Sequence, residues 1–431
     1  MKVRIFAIIL VVLAGLGVFL AVIKVNDDKQ DQFDSYIELA RKNAEKNIPY
    51  NSVNYYERAF DIKCEDENVY LEYIKQCEIL GGDFYYDAIH DYAVRFPESP
   101  NQYESLCKFY YDGQDYKSVF KVALEAKDKG IATDAVREMF VDSRYKYKYI
   151  KGGLSDATPF LGKYARVKRD EFYGFIEDSG AFLIFPKYEE AGFFAGDSTA
   201  VKDQGEWMMI NELGYKVAVC SQEPESLSYI SNGLVPVEVG EKYGYMDTAL
   251  VIPEKLEYDY ASNFRGSIAA VKKGEKWALI NTAFEQITDY KFDDIYIDEF
   301  NTCISNGVVI AKENGKYGLY DATGASLSEA RFDEIYPFVS EEYAAVRVGD
   351  LWGFIDKTGQ VVIKPQYEAA KSFCVGLAPV KVGDYWGYIN TDGKVCIDCT
   401  FEDCIPFSEN GVTAVKEKDS WSYIKLLLYE N

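Results

Sequence analysis

The chain has 431 residues, 48% of them hydrophobic and 27% charged, which is the balance of a globular protein large enough for more than one core. Its formal net charge of −23 argues against nucleic-acid binding, because neutralising phosphates requires a basic surface. The chain has a single histidine, His90, which argues against Ser-His or Cys-His catalysis and against multi-histidine metal sites. Nine cysteines without dense spacing do not form a disulfide scaffold.

The first segment, Ile5–Ile23, contains nineteen residues without a charged or strongly polar side chain. As a helix it spans roughly 28 Å, about the thickness of a bilayer core. Lys2 and Arg4 precede it and Asp27 and Asp28 follow, so the positive-inside rule predicts a single-pass cell-membrane protein. The N-terminus would be cytoplasmic and the bulk of the chain extracytoplasmic. A cleaved signal peptide and a buried helix are the alternatives.

The next region, up to about residue 148, favours helices, because apolar and aromatic residues recur there at spacings of three and four. Three similar segments follow chain breakers at a period near 30, and each is expected to open the second helix of a hairpin. They begin at Asn54, Phe84 and Asp115. This pattern resembles the tetratricopeptide repeat, and the resemblance implies stacked hairpins with a concave surface often used for peptides. A helical spacer is the alternative.

From about residue 150 the pattern changes to the period of two that is typical of strands, and an aromatic residue followed by a small one recurs. The eight aromatics are separated by 34, 36, 34, 40, 35, 34 and 35 residues. They are Tyr173, Trp207, Tyr243, Trp277, Tyr317, Trp352, Trp386 and Trp421. Such a constant interval predicts eight copies of one structural unit.

Other residue types recur at fixed distances in sequence from this aromatic. Six residues earlier stands Val or Ala, five earlier a basic residue in seven units, and fifteen later a second aromatic in six units, always followed by an acid. We expect the Val to face inward and the basic residue to face solvent on a first strand, with the aromatic opening a second strand. Glycines such as Gly359 and Gly393 predict a hairpin to a third strand, and runs such as Cys404-Ile-Pro-Phe a fourth.

The string that begins Leu351-Trp-Gly-Phe-Ile-Asp resembles the bacterial WG, or KWG, repeat. The resemblance covers about 270 residues and implies no catalytic site. Four short strands per unit are compatible with a closed β-propeller or with an open array. We favour eight blades, with the run Thr158-Pro-Phe completing the last blade and closing the ring.

Three groups of residues are candidates for chemistry. Cys396, Cys399 and Cys404 have metal-like spacing, although their equivalents in the neighbouring unit are ordinary core positions, and a disulfide is the other alternative. The acid pairs after the second aromatic recur once per unit, which favours a solvated face over an active site. These pairs are Glu189-Glu190, Asp293-Asp294, Asp333-Glu334 and Glu402-Asp403.

The repeated aromatics favour core packing over glycan stacking because they occupy fixed pattern positions. Tyrosines outside the pattern, namely Tyr145, Tyr147 and Tyr149, are freer to act at the surface.

The sequence therefore predicts an α+β multidomain protein: a membrane anchor with a transmembrane helix (1–29), a domain of tetratricopeptide-like helical hairpins (30–150) and an all-β WG-repeat domain (151–431). No catalytic, cofactor or metal residue is assigned, and no cofactor is expected. We expect a non-enzymatic scaffold anchored in the membrane that binds a protein partner and not nucleic acid. The alternative function is a module that binds cell-wall or extracellular polysaccharide.

Overall fold

A computed structural model describes residues 24, 26–63, 66–220, 224–252, 256–340 and 342–428. The chain divides into two compact units, Met1–Arg144 and Tyr145–Asn431. The prediction of a single-pass cell-membrane protein is wrong for the part of the chain that the structure describes, because none of its helices is long and apolar enough to cross a bilayer. The segment Ile5–Ile23, on which that prediction rested, lies outside the described residues.

The first unit consists of helical hairpins. Its helices are α1 (residues 26–45), α2 (Pro49–Phe60), α3 (Glu67–Leu80), α4 (Gly82–Arg95), α5 (Pro100–Asp112), α6 (Tyr116–Asp128) and α7 (Asp134–Arg144). Pro49 begins α2, where its missing N–H costs nothing, and Gly81 separates α3 from α4 with a φ of +68°. The three similar segments lie in α2, α4 and α6, so the sequence located the second helix of each hairpin correctly.

Tyrosines dominate the core of these helices. The rings of Tyr70 and Tyr92 stack at 5.6 Å, and both side chains are almost completely buried. Their hydroxyl groups donate to carboxylates, Tyr70 to Asp91 at 2.6 Å and Tyr92 to Glu67 at 2.6 Å. A buried phenol hydroxyl needs a hydrogen-bond acceptor, which explains why these two buried tyrosines each lie beside an acidic residue.

The second unit is a β-propeller of eight antiparallel blades, most of them four-stranded. Blade 1 contains β2 (Asp156–Ala157), β3 (Tyr164–Arg169), β4 (Phe172–Glu177) and β5 (Phe182–Tyr188), and blade 2 contains β6 (Glu190–Ala191), β7 (Ser198–Asp203), β8 (Glu206–Asn211) and β9 (Lys216–Val219). Blade 3 contains β10 (Ser226–Leu227), β11 (Val235–Val239) and β12 (Lys242–Met246), and blade 4 contains β13 (Tyr260–Ala261), β14 (Ile268–Lys273) and β15 (Lys276–Asn281). Single bridges, Tyr243 to Tyr258 and Trp277 to Phe292, take the place of a regular outer strand in these two blades.

Blades 6, 7 and 8 repeat the four-stranded plan. Blade 5 differs, because its first two strands both pair with its third and a single bridge, Tyr317 to Phe332, takes the place of the outer strand. Blade 5 contains β16 (Asp294–Ile295), β17 (Ile304–Ser305), β18 (Val308–Glu313) and β19 (Lys316–Tyr320), and blade 6 contains β20 (Glu334–Ile335), β21 (Ala344–Val348), β22 (Leu351–Ile355) and β23 (Val361–Tyr367). Blade 7 contains β24 (Ala369–Ala370), β25 (Leu377–Val382), β26 (Tyr385–Asn390) and β27 (Val395–Phe401), and blade 8 contains β28 (Asp403–Cys404), β29 (Val412–Glu417), β30 (Ser420–Leu426) and β1 (Tyr147–Leu154).

The repeat positions have matching roles in every blade. In blade 6, Val346 is fully buried and pairs with Gly353, while Trp352 pairs with Tyr367 on the outer strand. A Cβ on Gly353 would lie 2.5 Å from the carbonyl oxygen of Ile363, which explains why glycine follows the aromatic in this blade. The inward-facing Val was predicted from spacing, whereas the cross-strand pairing of the two aromatics was not. The structure confirms the propeller and its closure.

The strand that closes the ring differs from the prediction. The outer strand of blade 8 is β1, which pairs with β30, whereas Thr158 follows β2 in the first blade. The run that begins at Cys404 was likewise expected to be a fourth strand, but β28 is the first strand of blade 8. Only one residue separates β27 from β28, which leaves no room for a hairpin back into blade 7, so the chain passes to the next sheet.

Candidate functional site

The acidic residue that follows the second aromatic connects neighbouring blades. Asp293 lies between β15 of blade 4 and β16 of blade 5. It accepts from Lys276 of blade 4 at 2.6 Å and from the backbone N–H of Gly315 of blade 5 at 3.2 Å. The same N–H contact recurs at Glu189–Gly205, Glu225–Gly240, Asp259–Gly274 and Asp333–Gly349. Asp259, Asp293 and Asp333 also pair with a lysine of the preceding blade, so these three carboxylates connect neighbouring blades on the solvent-accessible face that the sequence predicted.

Three of these carboxylates titrate below their ordinary range. Hydrogen bonds from the Lys276 ammonium and the Gly315 amide lower the pKa of Asp293, because both favour the charged form. The equivalent contacts lower the pKa of Asp259 and of Asp333. The acid that comes second in the pair takes the repeat cation, as Glu334 does with Arg347 at 2.6 Å.

The cysteines with metal-like spacing are not assembled into a metal site. Cys404 is fully buried and lies near the Tyr388 hydroxyl, while Cys396 and Cys399 are half-buried on β27. Burial raises the pKa of the Cys404 thiol to about 12. Across the described residues, no group of three potential metal ligands converges.

The aromatic candidates lie mainly in packed positions. Trp207, Trp277 and Trp386 are each exposed by less than a tenth of their surface. Tyr147 and Tyr149, considered free for a surface role, belong to the closing strand β1, and the Tyr149 hydroxyl donates to Glu417 at 2.9 Å. Tyr145 is buried. His90 lies on α4, stacked on Tyr86 at 4.1 Å.

Blade 5 has an insertion that the other blades lack. The residues between β16 and β17, numbers 296–303, account for the single long interval in the repeat. The Tyr229 hydroxyl of blade 3 donates to the carbonyl of Phe300 at 2.7 Å. Asn263 of blade 4 donates its backbone N–H to the carbonyl of Asn301 at 2.7 Å and accepts from the Asn301 amide at 2.9 Å. We call residues 296–303 the blade 5 loop.

The blade 5 loop reaches across the propeller axis. The Phe300 ring meets the Phe193 ring of blade 2 edge to face at 5.0 Å, although two blades separate these sheets. The Arg166 guanidinium lies 4.4 Å from the Phe193 ring centre, and its Nη1 donates to the carbonyl of Ala191 at 2.8 Å. Burial lowers the pKa of Arg166. This cluster of two rings and a cation connects blades 1 and 2 with the blade 5 loop.

Beside this cluster lies an axial cavity of about 420 Å³. Five blades line it: blade 1 with Phe160, blade 4 with Arg265, blade 5 with Glu299, blade 6 with Tyr336 and blade 8 with Phe407. Most of the lining comes from the connection between the first and second strands of each blade, which places the first strand next to the axis. The volume is in the range of ligand sites, and the wall combines aromatic and proline surface with a few charged groups.

A second cavity, of about 590 Å³, lies between blades 5, 6 and 7. The repeat aromatics Tyr317, Trp352 and Trp386 line it, together with Lys312 and Arg347. Lys312 lies 5.2 Å from the Tyr317 ring centre, so the cation and the ring of the repeat motif share one wall. We call this the lateral cavity.

The sequence analysis missed the residues of the blade 5 loop. Asp298 and Glu299 belong to no repeat position, and neither residue matches a motif. The interval of 40 residues between Trp277 and Tyr317 was the available signal, since an insertion into a regular repeat unit maps to a loop on one face of the array.

Comparison with known proteins supports the repeat assignment. The sequence model described as WG containing repeat matches residues 173–207, 255–277, 317–352, 352–386 and 386–421. No curated protein matches the sequence.

Among solved structures, Hsv2 of Kluyvelomyces marxianus is similar at 9% identity and a TM-score of 0.34, over 64% of this chain and 99% of that one. YCF48 bound to D1 peptide gives 10% identity and a TM-score of 0.30, over 67% and 97%. The extracellular domain of the hybrid two component system BT4673 from B. thetaiotaomicron gives 9% and 0.34, over 65% of this chain but only 42% of that one. All residues matched by the family model lie in the propeller, so the C-terminal unit of this chain carries WG repeats.

Proposed function

We propose that this protein is a non-enzymatic scaffold whose propeller binds a segment of a protein partner in the axial cavity. The observation that carries the proposal is the convergence of five blades on one cavity beside the Phe300–Phe193 cluster. The wall combines apolar residues with a similar number of polar and charged ones, so it can both pack on a side chain and fix its orientation. The blade 5 loop gives such a site a fixed wall.

The test selects peptides from a randomised dodecapeptide library on the full chain and measures their affinity by fluorescence anisotropy. Val339 lines the axial cavity and Val382 is an exposed residue of β25 outside it, so Val339→Trp blocks the cavity and Val382→Trp is the matched control. We expect the selected peptides to lose at least tenfold in affinity for Val339→Trp and to bind Val382→Trp as they bind the native chain. Equal binding to both variants would remove the axial cavity as the site.

Turnover assays test separately the proposal that the protein is not an enzyme. Incubation of the full chain with peptide, ester and glycoside substrates should give no product above the uncatalysed rate. Robust turnover that Val339→Trp abolishes would replace the scaffold proposal with an enzymatic one.

A glycan-binding function is the second candidate, and the lateral cavity favours it. Sugar rings present C–H faces that pack on aromatic rings, and Tyr317, Trp352 and Trp386 all line this cavity. Saturable binding of a soluble polysaccharide that Trp352→Ala removes and Val339→Trp leaves intact would support it. Binding that neither variant changes would argue against both cavities as the glycan site.

A further inference from the structure

The carboxylate of Glu299 occupies an unusual place in the axial cavity. Asp298, the residue before it, fixes the blade 5 loop: its Oδ1 accepts from the backbone N–H of Phe300 at 3.1 Å and of Thr302 at 2.7 Å, and its Oδ2 accepts from the Thr302 hydroxyl at 2.7 Å. These bonds hold the backbone on both sides of Glu299. The backbone of Glu299 is therefore held at the cavity wall in the ligand-free protein.

Glu299 has no partner for its charge within the described part of the chain. No side chain there donates a hydrogen bond to it or lies in ion-pair range. Its carboxylate accepts from its own backbone N–H, and the more distant charges of Asp298 and Lys371 also act on it. The Glu299 side chain is exposed to solvent on the cavity wall. Desolvation by the surrounding protein first, and the Asp298 charge second, raise the pKa of Glu299, while its own backbone N–H and Lys371 oppose them.

Two of the neighbouring cations, Arg265 and Lys371, are engaged elsewhere, while a third, Lys163, also lines the cavity. Arg265 Nη1 lies 3.6 Å from Asp298 Oδ2. Lys371 Nζ donates to Asp403 at 3.0 Å and to the carbonyl of Cys404 at 2.6 Å. A carboxylate on a cavity wall that has no cation partner is available to pair with an incoming one.

The remainder of the cavity suits the stem of a long side chain. Tyr336 and Pro159 are partly exposed on its wall, and the buried Phe160, Pro337 and Phe407 also line it. Lysine and arginine carry a methylene stem that packs on apolar walls and a charged head that seeks a carboxylate. The net charge of −23 also attracts basic partners over a distance and repels acidic ones.

We infer that the axial cavity takes up a lysine or arginine side chain of the protein partner, with Glu299 as the residue that selects the cation. This inference rests on the proposed function, since it specifies what enters the same cavity. Glu299 acts as a specificity-determining residue: its carboxylate accepts charge-assisted hydrogen bonds from the ammonium or guanidinium group, and the aromatic wall packs on the stem.

The experiment uses the full chain and acetylated hexapeptide pools in which one position is fixed as Lys, Arg, norleucine or Glu. We expect the Lys and Arg pools to bind at least tenfold more tightly than the norleucine pool, and the Glu pool to bind least. Glu299→Gln keeps the shape of the side chain and should remove this preference. Asp384→Asn removes one charge from an exposed turn outside the cavity, so it controls for net charge and should keep the preference.

Each outcome separates the inference from the proposed function. If the pools bind equally well while Val339→Trp still abolishes binding, the cavity is a peptide site without cation selection and the inference fails alone. If Glu299→Gln retains the preference, another carboxylate selects the cation and the inference is wrong. If free cadaverine binds as tightly as the best pool, the cavity is a site for small amines, which overturns the assignment to a protein side chain.

Discussion

Replacing Gly353 or Gly387 by alanine should destabilise the propeller, because each glycine faces the backbone of the outer strand at a distance that no Cβ tolerates. At Gly353 the added carbon would lie 2.5 Å from the carbonyl oxygen of Ile363 and 2.6 Å from the nitrogen of Pro365. An ordinary carbon–oxygen contact begins near ~3.3 Å, so the outer strand must move by about 0.8 Å. Overpacking of this kind costs ~1–3 kcal/mol, and the obstacle here is backbone held in a ladder, so we expect about 3 kcal/mol.

Equivalent positions in other blades serve as controls for which a smaller loss of stability is expected. At Gly318 the nearest atom to an added Cβ is the Cα of Ala330 at 3.0 Å, so Gly318→Ala should cost about 1 kcal/mol. Blade 4 carries Ala278 at the equivalent position, fully buried, and its outer strand is reduced to bridges. Ala278→Gly should therefore cost only about 1 kcal/mol, mainly through the greater freedom of the unfolded glycine.

Urea unfolding followed by tryptophan fluorescence measures these differences. All five tryptophans lie in the propeller, from Trp207 to Trp421, so the signal reports this unit and not the helical one. With a urea dependence of about 3 kcal/mol per molar, Gly353→Ala and Gly387→Ala should lower the midpoint by about 1 M. If they unfold at the native midpoint, or if Ala278→Gly costs as much as they do, the account of the small residue after the aromatic is wrong.

Three further predictions concern other contacts. Asp333→Asn should lower the free energy of unfolding at pH 7 and weaken its dependence on pH in acid. Lys316 and the Gly349 amide hold the pKa of Asp333 down, so the stabilisation that this carboxylate gives is lost only as pH falls below ~3.9 through the folded-state pKa. Urea midpoints measured between pH 7 and pH 3 test this. Tyr423→Phe should cost about 1–2 kcal/mol and speed hydrogen exchange in β1, since the Tyr423 hydroxyl donates to the Thr158 carbonyl at 2.6 Å and accepts from its N–H at 3.1 Å. Native-state iodoacetamide labelling should leave Cys404 unmodified until the propeller unfolds, because the thiol is buried and its pKa is raised to about 12.

Each of these has a matched control. Asp384→Asn removes an exposed charge that bridges no blades, so its acid dependence should follow the native chain. Tyr388→Phe removes the equivalent hydroxyl, which donates to the Ile405 carbonyl at 2.9 Å within blades 7 and 8, and should not speed exchange in β1. Cys399 is only half-buried and should react before Cys404. Equal behaviour within any pair would contradict the corresponding prediction.

Most of a blade was predictable because its pattern is local. The interval of fifteen residues between Trp352 and Tyr367 is the length of one hairpin, and the structure pairs these two residues across it. The burial of Val346 follows from the alternation of a half-buried strand. Eight copies of the same spacing then determine the number of blades, since no single unit can bury its faces alone.

What the sequence did not predict depends on contacts between distant residues. Tyr147 and Tyr149 look like loop residues until β30, some 275 positions later, pairs with them. Asp293 looks solvated because its partners Lys276 and Gly315 belong to two different blades. Glu299 lies in an insertion without a pattern, and only the arrangement of the blades around the axis brings it into a cavity.

The pairing of β1 with β30 also sets an order of events during synthesis. Seven blades are made of consecutive residues and can form as the chain emerges, but β1 must wait for a partner made about 270 residues later. At ~5–20 residues per second the wait is about 15 to 55 s. During that time both sides of the unfinished ring present open strand edges, and the last contact must overcome the entropy of joining distant chain segments. Ring closure should therefore be the slow step of folding and the stage at which this protein is most prone to aggregate.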